Sequence, residues 1–262
     1  MQRLHEQLRL RLINAAQKRQ TQGMKNTDIK PATAGPIGVS SPVRSGQKLA
    51  DPAIAERMQR RALSVYQRPI AEHSERAFSA LAEWRQAHLG EMVLDTGCGN
   101  GESSLALSER YPDAWIVGID KTLDRLAKRG YRPDNGPVHM DQRCCFLLAD
   151  LVDLWRLMAA AGWRFRKQYV LYPNPWPKPA QRLRRWPLHP VWPDLLQMSD
   201  QIELRTNWSV YAEEFEQSLN LSGWASERTQ LAKQDRPITP FEAKYQASEH
   251  TLWQVVGRAK GP

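Results

Sequence analysis

The most constraining stretch of the chain is Met92-Val93-Leu94-Asp95-Thr96-Gly97-Cys98-Gly99-Asn100-Gly101, where a short apolar run meets an acid and then three glycines at alternate positions. The apolar run predicts a buried strand, and the glycines predict a tight loop that opens a helix. Without a Cβ, positions 97, 99 and 101 can take positive φ and let a ligand approach the backbone. A glycine-rich loop is common to many chemistries, so the flanking sequence decides what this one serves.

Two further apolar runs end in acids. Trp115-Ile116-Val117-Gly118-Ile119-Asp120 places a carboxylate where nucleotide-binding α/β folds bond a ribose diol, and Cys144-Cys145-Phe146-Leu147-Leu148 closes on Ala149-Asp150. Asp120 and Asp150 each also suit a helix N-cap, but acids at three successive strand ends are more than capping requires. Such a row favours hydroxyls, an adenine amine and a positive charge. A pyrophosphate would meet Asp95, so the expected cofactor is S-adenosylmethionine rather than NAD. Its expected contacts are Asp95, Gly97, Gly99, Gly101, Asp120 and Asp150.

Around this frame, strands expected at 92–95, 115–119, 144–148 and 168–172 alternate with helices at about 102–110, 122–129 and 151–161, which implies a parallel, doubly wound α/β sheet. Upstream, Asp51-Pro52 reads as an N-cap with proline at the first helical position, opening a helix with Ile54, Met58 and Leu63 on one side. A second helix, about 71–88, turns Phe78, Leu81 and Trp84 inward. Downstream, residues 202–206 predict a fifth strand, 207–215 a helix, and 251–256 a closing strand. Thr239 and Glu242 have capping-box spacing.

The fourth strand runs into Pro173-Asn174-Pro175-Trp176-Pro177-Lys178-Pro179, whose four prolines predict a stiff loop without a helix. Arg182, Arg184, Arg185 and His189 follow, interleaved with Trp186 and Trp192, a pattern that suits phosphate contacts and base stacking.

The 262 residues, 41% hydrophobic, can bury one sizeable core. The net charge of +9 is lopsided: residues 1–50 hold nine Lys/Arg against Glu6 and Asp28, or +7, which leaves the body at +2. The expected organisation is a basic, largely disordered arm (1–50, with a weak amphipathic helix at 1–20 and a mobile linker from 21), N-terminal helices (51–90) and a catalytic domain (91–262). A basic arm on a near-neutral body points to a polyanion such as RNA. Three cysteines, two adjacent in an apolar strand, suggest neither a disulfide framework nor a metal site. Charges interrupt the N-terminus and no run of about 18 apolar residues occurs, so a cytoplasmic protein without signal peptide or membrane span is expected.

Four separated blocks carry a resemblance to a known family: Leu94 to Gly101, Pro173 to Arg185, Thr206-Asn207-Trp208 with Tyr211, and Arg236-Pro237-Ile238-Thr239-Pro240-Phe241-Glu242. Over roughly residues 85–256 the chain resembles the bacterial tRNA (guanine-N7)-methyltransferases. The resemblance implies a Rossmann-like class I methyltransferase fold with an antiparallel C-terminal strand pair, tRNA as partner and guanosine 46 of the variable loop as target; the sequence leaves the oligomeric state open, with a monomer favoured. It implies a catalytic, cofactor-adjacent role for Asn174 and substrate contacts from Lys178, Asn207, Thr239, Phe241 and Glu242, beside Arg182, Arg184 and Arg185 from the basic run. The family usually carries aspartate at the positions of Asn174 and Asn207, and glutamate at that of Asp95. The asparagine keeps two other readings open, an amino (N2/N6) methyltransferase and a non-catalytic tRNA-binding protein with the same fold.

Overall fold

The structure is a computed structural model that describes residues 40–62 and 66–260. The chain divides into two units, residues 1–36 and 37–262, and the described residues belong to the second. The expected helix at 1–20, Leu63 and most of the expected linker lie outside the described residues.

One eight-stranded sheet organises this unit. Its strands are β1 (Glu91–Thr96), β2 (Ala114–Asp120), β3 (Val138–Asp141), β4 (Cys144–Leu148), β5 (Lys167–Leu171), β6 (Gln201–Thr206), β7 (Trp224–Gln230) and β8 (Trp253–Ala259), in the order β3-β4-β2-β1-β5-β6-β8-β7. The five strands from β4 to β6 in that order pair in parallel, β3 is antiparallel to β4, and β8 runs antiparallel to both β6 and β7. The fold is therefore the mostly parallel, doubly wound sheet with an antiparallel C-terminal pair. Buried on both faces, β1 and β2 read as continuous apolar runs. Successive residues Val93/Leu94 and Ile116/Val117 feed opposite cores, one holding Leu81, Trp155 and Phe215, the other Leu107, Phe146 and Tyr169.

The helices are α1 (Ile54–Ala62), α2 (Glu72–Ala87), α3 (Glu102–Arg110), α4 (Leu123–Leu126), α5 (Leu151–Ala160), α6 (Trp192–Gln197), α7 (Ser209–Leu221) and α8 (Pro240–Ala247). Three expectations change. The helix expected at 122–129 is one α turn followed by a 3-10 turn, ended by Gly130 at φ 90. The proline loop does start a helix, a 3-10 segment Pro179–Arg184, because proline fits a first helical position. Residues 40–50 are hydrogen-bonded to the body: Ser45 Oγ donates to the Pro177 carbonyl at 2.8 Å, and Gln47 Nε2 donates to Glu214 at 2.9 Å.

Candidate functional site

The glycine loop leaves β1 at the carboxyl edge of the sheet. Gly97, Gly99 and Gly101 have φ of 74, 60 and 78°. The Gly97 and Cys98 amides donate to the Ile119 carbonyl (2.8 and 3.1 Å), and the Gly99 amide to Asp120 Oδ2 (2.9 Å). Among the described residues a Cβ at 97 or 99 would meet nothing within 4 Å, so that side of the loop is open to a ligand, whereas at 101 it would lie 2.8 Å from the Phe146 ring. Gly101 thus serves packing, unlike the other two. Asp120 is buried and also accepts from the Thr122 amide (2.8 Å), with Arg125 at 3.8 Å.

Asp95 is turned beneath α3. Its Oδ2 accepts from Ser103 Oγ (2.6 Å) and Ser104 Oγ (2.7 Å), while Oδ1 is buried with no hydrogen-bond partner among the described residues. Asp95 pairs in register with Gly118, where a Cβ would sit 2.7 Å from Ser104 Oγ, so that glycine makes room for the serine that holds the acid. Desolvation, opposed by the two serines, pushes the Asp95 carboxyl up to about 6. A carboxyl raised in the folded state stabilises while protonated, and this contribution fades as pH rises through about 6. Relative to Asp95→Asn, the parent should therefore lose about 1–2 kcal/mol between pH 5 and pH 7.5 in urea unfolding; a pH-independent difference would contradict the assignment.

Asp150 caps α5, as its sequence position also allowed: Oδ1 accepts from the Val152 amide (2.9 Å), and Oδ2 accepts from Arg68 (3.3 Å). It borders a cavity of about 510 Å³ whose lining includes Lys121 and Leu148 on the strand side and Arg68, Pro69 and His73 on the other.

At the end of β5, Asn174 is exposed on a loop bracketed by two non-glycine residues with positive φ, Tyr172 (48°) and Trp176 (46°). The basic run behind it divides. Lys178 and Arg184 are exposed, and the Arg184 guanidinium lies 4.7 Å from the Trp176 ring centroid. Arg182, partly exposed, reaches Asp51 at 3.5 Å. Arg185, expected to face RNA, is fully buried instead: its Nη1 donates to both Glu214 oxygens (2.7 and 2.8 Å), its Nη2 donates to the Trp176 carbonyl, and the guanidinium lies over the Trp208 ring. Burial against a carboxylate removes it from any substrate surface.

The C-terminal motif divides in the same way. Phe241 is 44% exposed and stacks on Tyr245. Half-buried Asn207 bonds His250 Nδ1 (3.1 Å). Thr239 caps α8 through the Glu242 amide (2.9 Å), but the return bond of Glu242 goes to the Ile238 amide. The Glu242 carboxylate, expected at the substrate, is fully buried and takes Arg205 Nη1 on both oxygens (3.0 Å each) and the Tyr172 hydroxyl (3.0 Å). Arg205 in turn bonds Glu203 (2.8 Å), which also pairs with Lys167 (2.7 Å). Burial and the Glu242 charge raise the Tyr172 phenol, which stays a donor.

Sequence reasoning missed Arg68, Arg205 and Glu214. The last had a signal: it shares a helical stripe with Tyr211, Phe215 and Ser218, and a carboxylate on an apolar stripe announces a buried cation. Among the described residues no cluster of His, Cys, Asp and Glu is placed to hold a metal, and no helix is long and apolar enough to cross a membrane.

Residues 90–255 match a protein-family model, Methyltransf_4, described as "Putative methyltransferase". A tRNA (guanine-N(7)-)-methyltransferase of Nitrosococcus oceani is 28% identical over 180 residues, covering 63% of this chain and 70% of that protein. Another, from Mycobacterium leprae, is 27% identical over 233 residues, covering 80% and 97%. A trans-aconitate 2-methyltransferase of Acidovorax is 34% identical over a shorter stretch of 91 residues, covering 34% and 31%.

Proposed function

Because the chain belongs to the methyltransferase family Methyltransf_4, we propose that it transfers a methyl group from S-adenosylmethionine to N7 of a guanosine in tRNA, the variable-loop guanosine being the target that the resemblance implies. The relatives named tRNA (guanine-N(7)-)-methyltransferase support this reading. The observation that carries it is the display of Asn174: β5, which bears its loop, is paired directly with β1, which bears the glycine loop. On this reading tRNA is the macromolecular partner and the cytoplasm the compartment.

The residues present fit the cofactor. Gly97 and Gly99 leave an open face, Asp120 and Asp150 at the ends of β2 and β4 offer carboxylate acceptors of the kind a ribose and an adenine amine need, and Asp95 keeps one buried oxygen without a partner among the described residues. When bound, the cofactor supplies an electrophilic sulfonium methyl. Guanine N7 already carries an in-plane lone pair, so no general base is required and the protein's work is alignment and exclusion of water. Asn174 suits this: its amide donates to O6 and its carbonyl accepts from N1–H or the exocyclic amine. Prolines, the Ser45 bond to Pro177 and the Arg185 bond to Trp176 hold the loop that presents it.

Asparagine, unlike aspartate, leaves the cationic product base without a counter-charge. Asn174→Asp should therefore raise the methyl-transfer rate, by about 1–3 kcal/mol in the barrier if the site is dry. A rate no higher than the parent's counts against this role. The reading itself is tested by transfer of labelled methyl to unmodified bulk tRNA, followed by nucleoside analysis. N7-methylguanosine supports it, N2- or N6-methylated product points to the amino methyltransferase reading, and no label at saturating cofactor points to a non-catalytic tRNA binder.

A further inference from the structure

The cavity beside Asp150 is bounded on one side by Arg68, Pro69 and Ala71 of the segment 66–71, which precedes α2 and lies outside the stretch matched by the family model. Ionic and hydrogen-bond contacts latch this segment to α5. Arg156 donates to the carbonyls of Arg68 (2.6 Å) and Tyr66 (3.2 Å), with its guanidinium 5.3 Å from the Tyr66 ring centroid. Arg68 spreads its fork over two carboxylates, Nη2 to Asp153 Oδ1 (2.5 Å) and Nη1 to Asp150 Oδ2 (3.3 Å), and the Ala71 amide donates to the second oxygen of Asp153 (3.2 Å). Asp153 is buried and Asp150 about one-third exposed, so the fork ties an interior anchor to the carboxylate at the cavity's edge.

We propose that residues 66–71 form the closing wall of the adenine subsite, and that Arg68 fixes both that wall and the orientation of the Asp150 carboxylate that selects adenine. This rests on the S-adenosylmethionine reading, though not on the identity of the methylated base. The Val152 amide holds one oxygen of Asp150 and Arg68 the other, so the carboxylate cannot rotate and its remaining lone pairs have set directions. Pro69 and Leu148 offer apolar surface to a planar ring in the same cavity. A ring that presents an amine to Asp150 gains a charge-assisted hydrogen bond. A ring that presents a carbonyl at the same place sets two acceptors against each other and is rejected.

The test is titration calorimetry of the full chain with S-adenosylhomocysteine and S-inosylhomocysteine, which differ in the exocyclic group of the base. The parent should bind the adenosyl compound at least about tenfold more tightly. Arg68→Met should weaken adenosyl binding about tenfold and narrow the ratio. Arg68→Lys, which keeps the charge beside Asp153 but cannot fork across two carboxylates, should narrow the ratio with the fold retained. An unchanged affinity and ratio in a folded Arg68→Lys and Arg68→Met pair overturns the proposal and leaves the cofactor reading standing. No binding of the adenosyl compound by the parent removes both.

Discussion

Replacing Glu214 by alanine should destabilise the protein by about 3–5 kcal/mol, read as a lowered urea midpoint. Arg185 and Glu214 have no exposed side-chain surface, and among the described residues the guanidinium contacts nothing that can replace the carboxylate's charge. Its other partners are neutral: the Trp176 carbonyl, Gln47 Oε1 and the face of Trp208. Truncation therefore strands a cation in the interior and also releases Gln47 Nε2 and the Asp51 amide, which bond the same oxygen of Glu214. If the loss arises from the unpaired charge, removing both ions should hurt less. Arg185→Met combined with Glu214→Leu should recover at least about 1 kcal/mol relative to Glu214→Ala. Exposed Arg184 provides the contrast, since Arg184→Ala should leave stability within about 0.5 kcal/mol. A Glu214→Ala variant that costs less than about 1 kcal/mol would show that Arg185 finds water or another acceptor.

The frame was legible because buried parallel strands write themselves as apolar runs. β1, β2, β4 and β5 lie where those runs predict, each followed by the expected loop or helix start. β3 and β7 were not: among the described residues Val138-His139-Met140-Asp141 pairs only with β4 and Trp224–Gln230 only with β8, and edge strands with solvated faces carry too little apolar signal. The site was legible as positions but less so as directions. Arg182, Arg184 and Arg185 look alike in sequence, and only the 3-10 turn ending at Arg184 sends the next residue inward to a carboxylate on α7. Proline and glycine in residues 40–50 suggested mobility, yet that stretch is held by side-chain bonds to partners more than a hundred residues away. Long-range pairing of this kind leaves no local periodic trace.

Glu242 separates the two possible roles of the C-terminal motif. As a substrate contact, it could be changed to Gln at little cost in stability, with the loss confined to the affinity for tRNA. Its burial and its three donors, Arg205, the Tyr172 hydroxyl and the Ile238 amide, predict the opposite. Glu242→Gln keeps the shape but removes the charge and turns an N–H₂ toward groups that are themselves donors. We expect a loss of about 2–3 kcal/mol, below that for Glu214→Ala because Arg205 retains Glu203. Tyr172→Phe, which removes one hydrogen bond to the carboxylate, should cost about 1–2 kcal/mol. The functional effect follows from connectivity. Tyr172 precedes the proline loop and adopts positive φ, so loosening its hydroxyl frees the loop that carries Asn174, whereas the residues proposed for the cofactor stand at the ends of β1, β2 and β4. In both variants kcat for methyl transfer should fall while the dissociation constant for S-adenosylhomocysteine stays within about twofold of the parent's. Unchanged stability with a raised KM for tRNA would return Glu242 to the substrate.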